Sequence, residues 1–585
     1  MKALFRFPID AWAVAFMYAV VSLLGALILL FAALLRESAP AEPGAVFNHT
    51  QRDSTTALPI AHPERITVSG RIPPTLASAG FSVLPDGGAT DVTFAESVDP
   101  ADPVVEFLAP VVAMFTGVDS LSSAQLAGLM AGSITDWREV GGLPGPVRTA
   151  IRLSDGSYRL SAAGQEELVV PTADNLVATM SSNSGIIALV PVASVRPAVM
   201  PVAIDGVDIV RGRGEASAWS HVRRSSATAG TRAGRAALPT ILGAMTARAP
   251  QPVIVVVTGD ILQSRCSLVA IQATGDWGAA LRGPVGEYLA RADLTLGSLD
   301  GSIQDVSVPL GCIATTNLTS PPQVVEALVL AGFDEMTIAT NHIFDCGAAA
   351  CGRTALLQTI EFLGAAGIKT VGGGANLEAA LAPAVFEVRG LRIGVLGFDD
   401  VAALDLEATA DSPGTAPLDD DYKEERAAGE PAFFRPAGEL SLNRFTERIR
   451  KLKSEVDIVV VQVQSGIEDT HTPSPRSIKA LRAAADAGAD LIVGNQAHWV
   501  QAVELRSDAF IAYALGNFIF DQVRTVEHTQ GYLLEATFLD KRLTAVRFVP
   551  YQIENRYKPT FVEGERRLKI LSDVFEATKK LLVGP

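Results

Sequence analysis

The feature that most constrains the fold is a series of uncharged, β-branched runs between residues 253 and 520, separated by amphipathic stretches. VIVVVTGD (253–260) and VDIVVVQVQ (456–464) have the pattern of buried strands, whereas TALLQTIEFLGAAG (354–367) and RSIKALRAAADAGAD (476–490) have that of helices. Continuous apolar strands that alternate with helices are typical of sheets covered by helices on their faces. The pattern therefore predicts an α/β fold.

Polar side chains follow these strands at the points where the strands end. They are Asp260 in TGDI, Asp300 in LGSLDGS, Asn341 and His342 in ATNHIFD, and His498 in VGNQAHW. Open α/β sheets bind ligands beyond the carboxyl ends of their strands. Carboxylate, amide and imidazole groups are ligands for divalent cations. The spacing predicts a site for Mn, Zn, Mg or Fe at one sheet edge.

Six segments in order carry a resemblance to a known family. They are VVVTGDIL, ARADLTLGSLDGSI, IATNHIFDCG, DIVVVQVQSGIEDTHTPSP, GADLIVGNQAHWVQAVE and IAYALGNFIFDQ. Residues 253–555 resemble the bacterial capsule synthesis proteins of the CapA and PgsA type, which are linked to poly-γ-glutamate. That family is a branch of the calcineurin-like metallophosphoesterase superfamily. The resemblance implies a four-layer α/β/β/α sandwich with metals at the strand ends.

The resemblance also implies a role for each strand-end residue. Asp260 corresponds to the carboxylate ligand of the first strand, and Asp300 takes the position of a bridging carboxylate. Asn341 corresponds to an amide ligand, and His498 to the last His of a Gly-x-His-x-His motif. His342 corresponds to the general acid that protonates a leaving group.

Three positions depart from the family pattern. Gln464-Ser465-Gly466 stands where the family has His-Trp-Gly, Gln496 replaces the first His of Gly-x-His-x-His, and Ser-Leu-Asp ending at Asp300 replaces Asn-Leu-Glu. Two imidazoles have thus become amides, so the site would be oxygen-rich and would favour harder ions. The implied metal ligands are Asp260, Asp300, Asn341, Gln464, Gln496 and His498.

Two functions remain open for this region. One is a metal-dependent hydrolase that acts on phosphoester or polymer bonds, with His342 as its catalytic residue. The other is a catalytically degenerate module that binds or guides an envelope polymer or belongs to a synthase or export complex. The two lost imidazoles favour the second, because losing one ion of a two-metal centre removes much of its catalytic effect.

An uncharged run covers residues 11–35, preceded by Lys2 and Arg6. Twenty-five helical residues span ~37 Å, enough to cross a hydrocarbon core of ~30 Å. The run is longer than the ~7–15 apolar residues of a signal peptide. We expect residues 1–36 to be a cytoplasmic tip and transmembrane helix, and the Pro-rich residues 37–63 to be a tether. The bulk of the chain would then lie outside the cytoplasm, anchored to the cell membrane by a single span.

Residues 64–222 mix short apolar runs with turn residues, as an α/β domain does. SLSSAQLAGLMAGSITDWREVGG (120–142) resembles the periplasmic phosphate-binding proteins of ABC importers, although Tyr158-Arg159 follows Ser157 where that family has Gly-Thr. We expect a substrate-binding-protein-like module that recognises envelope polymer or protein; phosphate sensing and an inert spacer are the alternatives. Residues 223–252 are predicted as a linker, and 556–585 as a helical tail.

The net charge and the cysteines limit which binding partners and which disulfides the sequence allows. The formal net charge is −16, from 48 basic and 64 acidic residues, without a basic stripe that would bind nucleic acid. The resemblance points instead to an anionic envelope polymer or a polymer synthase and export complex. The four cysteines, Cys266, Cys312, Cys346 and Cys351, allow three disulfide connectivities outside the cytoplasm, among them Cys266–Cys312 with Cys346–Cys351.

Overall fold

The computed structural model describes residues 66–77, 82–83, 90–161, 167–182, 185–305, 312, 318–346, 352–420 and 440–583. Chain contacts group Pro63–Pro585 into one compact unit. The predicted membrane helix and tether lie outside the described residues. Within the described ranges, no helix is both long and apolar enough to span a bilayer.

The N-terminal region, up to about residue 250, is built on a ten-stranded sheet. Its strand order is β2-β1-β3-β12-β4-β9-β6-β7-β8, with β10 paired to β4, and β5 pairs separately with β11. The strands are β1 Thr67–Gly70, β2 Ser82–Val83, β3 Val92–Ser97, β4 Val104–Ala113, β5 Ser120–Leu121, β6 Arg148–Arg152, β7 Tyr158–Ser161, β8 Leu168–Val170, β9 Ile186–Pro191, β10 Val199–Pro201, β11 Ala203–Ile204 and β12 Val222–Ala229. The helices are α1 Pro74–Ala77, α2 Ser123–Met130, α3 Ala173–Ser182 and α4 Arg232–Met245.

The linker predicted over residues 223–252 is wrong. Strand β12 lies between β3 and β4 inside the sheet, and α4 packs Ile241 and Met245 into the small core beneath it. The Arg-, Ser- and Thr-rich sequence suggested a linker because few of its residues are apolar. In the sheet, however, Arg223 pairs with Glu106 of the neighbouring strand at 2.7 Å and with Glu96 at 3.0 Å. Cross-strand ion pairs, which no local pattern reveals, stabilise this polar strand.

Two further sheets build the C-terminal region. The eight-stranded sheet has the order β18-β17-β14-β13-β28-β29-β30 with β27 beside β13, and the six-stranded sheet has the order β20-β21-β23-β24-β26-β25. The strands are β13 Val253–Ile261, β14 Leu294–Leu299, β15 Ser302–Ile303, β16 Thr319–Ser320, β17 Glu335–Thr337, β18 Lys369–Val371, β19 Gly373–Gly374, β20 Ala384–Val388, β21 Leu391–Asp399, β22 Gly414–Thr415, β23 Ile458–Gln464, β24 Leu491–Asn495, β25 Val503–Arg506, β26 Ala509–Ala512, β27 Asn517–Ile519, β28 Gln530–Leu539, β29 Arg542–Glu554 and β30 Lys558–Phe561.

Helices cover these sheets on their outer faces. The helices are α5 Arg265–Ala273, α6 Pro284–Leu289, α7 Val325–Leu330, α8 Gly352–Ala365, α9 Leu377–Ala380, α10 Asn443–Glu455, α11 Pro475–Asp486 and α12 Gly564–Val583. Short 3₁₀ turns occur at Met114–Thr116, Trp137–Val140, Val192–Ser194, Ala216–Ala218, Pro322–Val324, Asn341–Phe344, Leu404–Leu406 and Glu527–Thr529. The polar sequence after 555 continues the large sheet as β30 before α12 begins, so the predicted helical tail is helical only from Gly564.

The packing of alternate residues shows the layer order. Val255 of β13 and Val460 of β23 belong to one core shared by the two sheets. Val256, on the opposite face of β13, packs in a second core with Leu268 of α5, and Val459 packs in a third core with residues of α10 and α11. The C-terminal region is therefore layered as helices, sheet, sheet and helices, because side chains alternate between the two faces of each strand.

Candidate functional site

Asp260 and Asp300 come from neighbouring parallel strands. Asp260 lies near the end of β13 and pairs in register with Ser298 of β14, so Asp300 lies just beyond the end of β14. Both carboxylates are buried, at 1% and 0% exposure. The sheet thus brings together two acidic groups that are 40 residues apart in the chain, away from water, as the strand-end pattern predicted.

The carboxylate of Asp260 has three polar neighbours. The hydroxyl of Ser298 donates to Oδ1 at 3.1 Å, and the backbone N–H of Gln496 donates to Oδ2 at 3.3 Å. His498 Nδ1 lies 3.9 Å from Oδ2. Burial, and after it the charge of Asp300, raise the pKa of Asp260 to about 7, although His498 opposes the shift.

Asp300 has no such partners. Both of its carboxylate oxygens are buried without a hydrogen bond. Burial raises its pKa to about 6, with His342 acting against the shift and Asp345 and Glu468 adding to it. Because nearly all buried polar atoms in native proteins are hydrogen-bonded, two unsatisfied oxygens on one carboxylate indicate a site built for a proton or a cation.

Asn341 and His342 lie on the 3₁₀ turn Asn341–Phe344, which follows β17. The side-chain oxygen of Asn341 is also buried without a hydrogen bond. His342 Nδ1 lies 2.7 Å from Asp345 Oδ2, which fixes the orientation of the ring. Burial lowers the pKa of His342, but the nearby carboxylates Asp300 and Asp345 raise it more, so the net shift is upward.

The two amides that replace imidazoles bind each other. Gln464 Nε2, at the end of β23, donates to Gln496 Oε1 at 2.8 Å, and Gln496 Nε2 donates to Glu468 Oε1 at 3.3 Å. Gln496 and His498 both have positive φ, 86° and 58°. Such values are strained for residues other than glycine and concentrate at functional sites.

The tautomer of His498 follows from its neighbour. Asn517 Nδ2 donates to the His528 carbonyl at 3.0 Å, which turns the Asn517 Oδ1 towards His498 Nδ1 at 2.8 Å. His498 therefore carries its hydrogen on Nδ1, which leaves Nε2 as the basic nitrogen. A histidine whose second nitrogen is fixed in this way is in the state that can bind a metal.

Six of the seven predicted residues interact with one another. Asp260, Gln464, Gln496 and His498 are joined by hydrogen bonds or close approach. The charge of Asp300 acts on Asp260 and that of His342 on Asp300, whereas the side-chain oxygen of Asn341 makes no hydrogen bond. Across the described part of the chain, no three His, Cys, Asp or Glu side chains converge closely enough to hold a metal ion. The unsatisfied oxygens of Asp300 and Asn341 nevertheless have the chemistry that a hard cation needs.

Sequence reasoning missed several polar residues of this edge. Asn495 ends β24 with both side-chain polar atoms buried and without a hydrogen bond, and Asn517 orients His498. Glu468 accepts from Gln496, and Asp345 Oδ2 accepts from the ring of His342. Asn495 follows the same strand-end rule that found Asp260 and could have been found by it. Asn517 begins β27, and Glu468 and Asp345 lie outside the strands and helices, so only the fold determines that these three meet the site.

The N-terminal loop that resembles a phosphate-binding loop has a different chemistry. The hydroxyl and backbone N–H of Ser157 both donate to Asp155 Oδ1, at 2.6 and 2.9 Å. A carboxylate therefore already occupies the donors that an anion would use.

Comparisons with known proteins agree with the C-terminal resemblance. Residues 254–522 match the sequence model of the family described as bacterial capsule synthesis protein PGA_cap. The residues that match this model, 254–522, are called the CapA-type region below. The capsule biosynthesis protein CapA of Bacillus anthracis is 29% identical over 240 residues, 41% of this chain and 53% of that protein. The PGA biosynthesis protein CapA of Bacillus subtilis (strain 168) is 31% identical over 207 residues, 35% of this chain and 47% of that protein.

The chain thus spans about half the length of the curated relatives it matches. Among solved structures, an ABC-type phosphate transport receptor from Vibrio cholerae aligns with 30% of this chain and 93% of its own at 14% identity and a TM-score of 0.23. The sulfate thiohydrolase SoxB of Thermus thermophilus aligns with 51% of this chain and 45% of its own at 14% identity and a TM-score of 0.28. Similarities at this level carry no argument. All seven predicted site residues lie within the CapA-type region.

Proposed function

We propose that this chain is a membrane-anchored cell-envelope protein that acts in the biosynthesis of a capsule polymer of the poly-γ-glutamate type. The observation that carries the proposal is the CapA-type region at residues 254–522. The disulfide between Cys266 and Cys312 supports an extracytoplasmic location, because disulfides persist in oxidising compartments. Cys346 is disulfide-bonded as well. The uncharged run at residues 11–35 would supply the anchor.

The layer order of the C-terminal region supports a metallophosphoesterase-type fold. Its strand ends bring Asp260, Asp300 and His498 to one buried edge, where such a fold would hold its metals. We infer that Asp260, Asp300, Asn341 and His498 would hold one hard divalent cation, Mn or Mg, once their side chains move closer together than they lie in this structure. A bound cation of this kind supplies Lewis acidity and lowers the pKa of bound water.

His342 is the group placed for proton transfer in a hydrolytic reaction. Its bond to Asp345 orients the ring, and the neighbouring carboxylates favour the imidazolium form. A protonated imidazole held beside the site would protonate the oxygen of a leaving group. The substrate class that fits this reading is a phosphoester or a polymer bond.

The second candidate function is a non-catalytic module that binds the polymer or a synthase and export complex. The hydrogen bond between Gln464 and Gln496 favours it, since it engages the amide oxygen of Gln496 and turns its NH₂ towards Glu468. These side chains link the ends of β23 and β24 to the adjoining loop. In that arrangement the two amides stabilise the edge and take no part in binding an ion.

Metal analysis of the purified full chain separates the two functions. The wild type, loaded with Mn and desalted, is expected to retain about one ion per chain. Asp300→Ala should lose it, and Asp276→Ala, a control that removes a partly exposed carboxylate paired with Arg282 on the surface, should keep it. Equal metal content in the wild type and Asp300→Ala would overturn the cation site and leave the binding module.

Two further measurements test catalysis and biological role. His342→Gln should keep the metal but lose hydrolysis of aryl phosphodiesters, since only the proton donor is removed. In the producing cell, loss of the gene should reduce surface polymer that releases glutamate on acid hydrolysis. An unchanged amount of polymer would contradict the envelope function, whatever the metal content.

A further inference from the structure

A cavity of about 580 Å³ lies between the N-terminal and C-terminal regions. Residues of the loop at 207–216 and of the segment 249–252 line it together with Tyr288, residues 291–293, Arg389 and Glu535. Ile254 and Val256 of β13 also line it, and Asp260 follows them by four to six residues on the same strand. At ~3.3 Å per residue the cavity lies about 13–20 Å along the strand from Asp260. It is thus separate from the candidate metal site.

Four arginines line this cavity against three carboxylates: Arg211, Arg213, Arg291 and Arg389 against Asp208, Asp293 and Glu535. The carboxylates are withdrawn from solvent, with side-chain exposures of 4%, 14% and 1% in that order. Three of the arginine side chains are more exposed to solvent: Arg213 is 38%, Arg291 80% and Arg389 55% exposed. The charge that the cavity presents to a solute is therefore positive, in a chain whose net charge is −16.

Two buried polar atoms of residues that line the cavity lack hydrogen bonds. Arg211 Nε and Glu535 Oε1 lie 3.4 Å apart, both buried, and neither atom makes a hydrogen bond. Beside them, Arg213 Nη2 donates to the hydroxyl of Tyr288 at 2.9 Å. Buried donors and acceptors that lack hydrogen bonds are the groups that an entering polar ligand can satisfy.

Arg291 makes the weakest ion pair of the four arginines. Its one acidic partner, Glu287, lies 3.7 Å away and is 66% exposed, so the pair contributes little. Arg389 is held in place by the Pro252 carbonyl at 3.1 Å and by Asp293 at 2.7 Å. Arg389 and the more exposed Arg291 both line the cavity, and a guanidinium fork matches carboxylate and phosphate oxygens.

We propose that this cavity between the N-terminal and C-terminal regions binds an oxyanion-bearing ligand through Arg213, Arg291 and Arg389. Its volume is in the range of small-molecule sites, which form preferentially at domain interfaces. The ligand chemistry is a carboxylate or a phosphate, and two sources would supply it: an acidic peptide-like chain or a phosphorylated compound. This binding does not depend on a cation at Asp260 and Asp300, so it stands apart from the proposed function.

Calorimetric titration of the full chain with two probes tests the proposal. γ-Linked triglutamate represents the carboxylate source and inorganic pyrophosphate the phosphate source. Binding of either probe supports the site and identifies its source. Arg291→Gln should weaken that binding about tenfold, because one charge-assisted contact is lost. Arg235→Gln, which removes an exposed arginine of α4 outside the cavity, should leave the affinity within about twofold.

Arg389→Gln is a second variant of a cavity arginine, which keeps the proposal testable if Arg291→Gln fails to fold. Each variant is accepted only if its circular dichroism spectrum and thermal unfolding match those of the wild type. Absence of heat with both probes would overturn the proposal. So would affinities in Arg291→Gln and Arg389→Gln equal to that of the wild type.

Discussion

Replacing Arg211 by Met would test how strongly the two regions are held together. Arg211 is 1% exposed on its side chain and pairs with Asp208 at 2.6 Å and with Glu535 at 3.4 Å. It also donates to the carbonyls of Pro201 at 2.9 Å and Val546 at 3.3 Å. Methionine keeps most of the apolar volume but removes the charge and these donors. The substitution therefore isolates the electrostatic part of the contact.

The expected loss of unfolding free energy depends on the partners that Asp208 and Glu535 keep in the variant. Removing one partner of a buried ion pair costs about 3–5 kcal/mol, because the other charge stays buried. Asp208 keeps two backbone donors, Val210 N at 3.1 Å and Arg211 N at 3.0 Å, while Glu535 keeps Arg213 and Tyr288. These partners limit the loss, so we expect the free energy of unfolding to fall by about 3 kcal/mol.

Urea unfolding of the full chain, followed by circular dichroism, measures this loss. Arg282→Met is the matched control, since Arg282 pairs with Asp276 on the surface, where its side chain is 56% exposed. The control should lose at most about 1 kcal/mol. Adding Asp208→Asn to Arg211→Met should recover part of the stability, because it removes a carboxylate left unpaired. A loss below about 1 kcal/mol for Arg211→Met would refute the reasoning.

Three other substitutions test the fold. Glu335 is fully buried and accepts a hydrogen bond from Gln462, and burial raises its pKa well above 4.5. The wild type should therefore lose stability relative to Glu335→Gln as pH rises above about 4.5. The difference should grow by up to ~1.4 kcal/mol per pH unit. Cys266→Ser with Cys312→Ser should cost about 4 kcal/mol in urea unfolding, since the bond closes a sequence separation of 46 residues. Gly259→Ala should lower the thermal unfolding midpoint, because its added Cβ would overlap a backbone carbonyl oxygen.

Each of these has an outcome that would contradict it, which for the disulfide is a loss below about 1 kcal/mol in the Cys266→Ser, Cys312→Ser variant. The same comparison below pH 4.5 is the control for Glu335. There Glu335 is protonated in both the folded and the unfolded wild type, so the difference in unfolding free energy between the wild type and the variant should become independent of pH. A difference that stays constant up to pH 8 would exclude a raised pKa. Gly243→Ala, at a position with open space around its Cβ, should not lower the midpoint as Gly259→Ala does. Equal shifts in the two glycine variants would refute the steric argument.

Some of the site was predictable because its signals are local. An apolar strand followed by a polar residue places Asp260 and Asp300 at strand ends, and the register of β13 and β14 then brings them to one edge. The alternation of strands and helices predicted an α/β fold, whereas the four-layer order of the C-terminal region was implied by the family resemblance. The Cys266–Cys312 bond, by contrast, was one of three connectivities that the sequence left open. Pairing depends on which loops meet, and spacing alone does not fix that.

The sequence by itself determined the positions of the buried strands, the polar residues that end them and the CapA-type character of residues 254–522, since each depends on neighbours in the chain. Only the tertiary structure decided that residues 222–229 form a strand inside a sheet, that Gln464 binds Gln496, and that Arg211 pairs with Glu535. These contacts join residues 32 to more than 300 positions apart, and their energies depend on burial and distance. No local pattern in the sequence encodes either quantity.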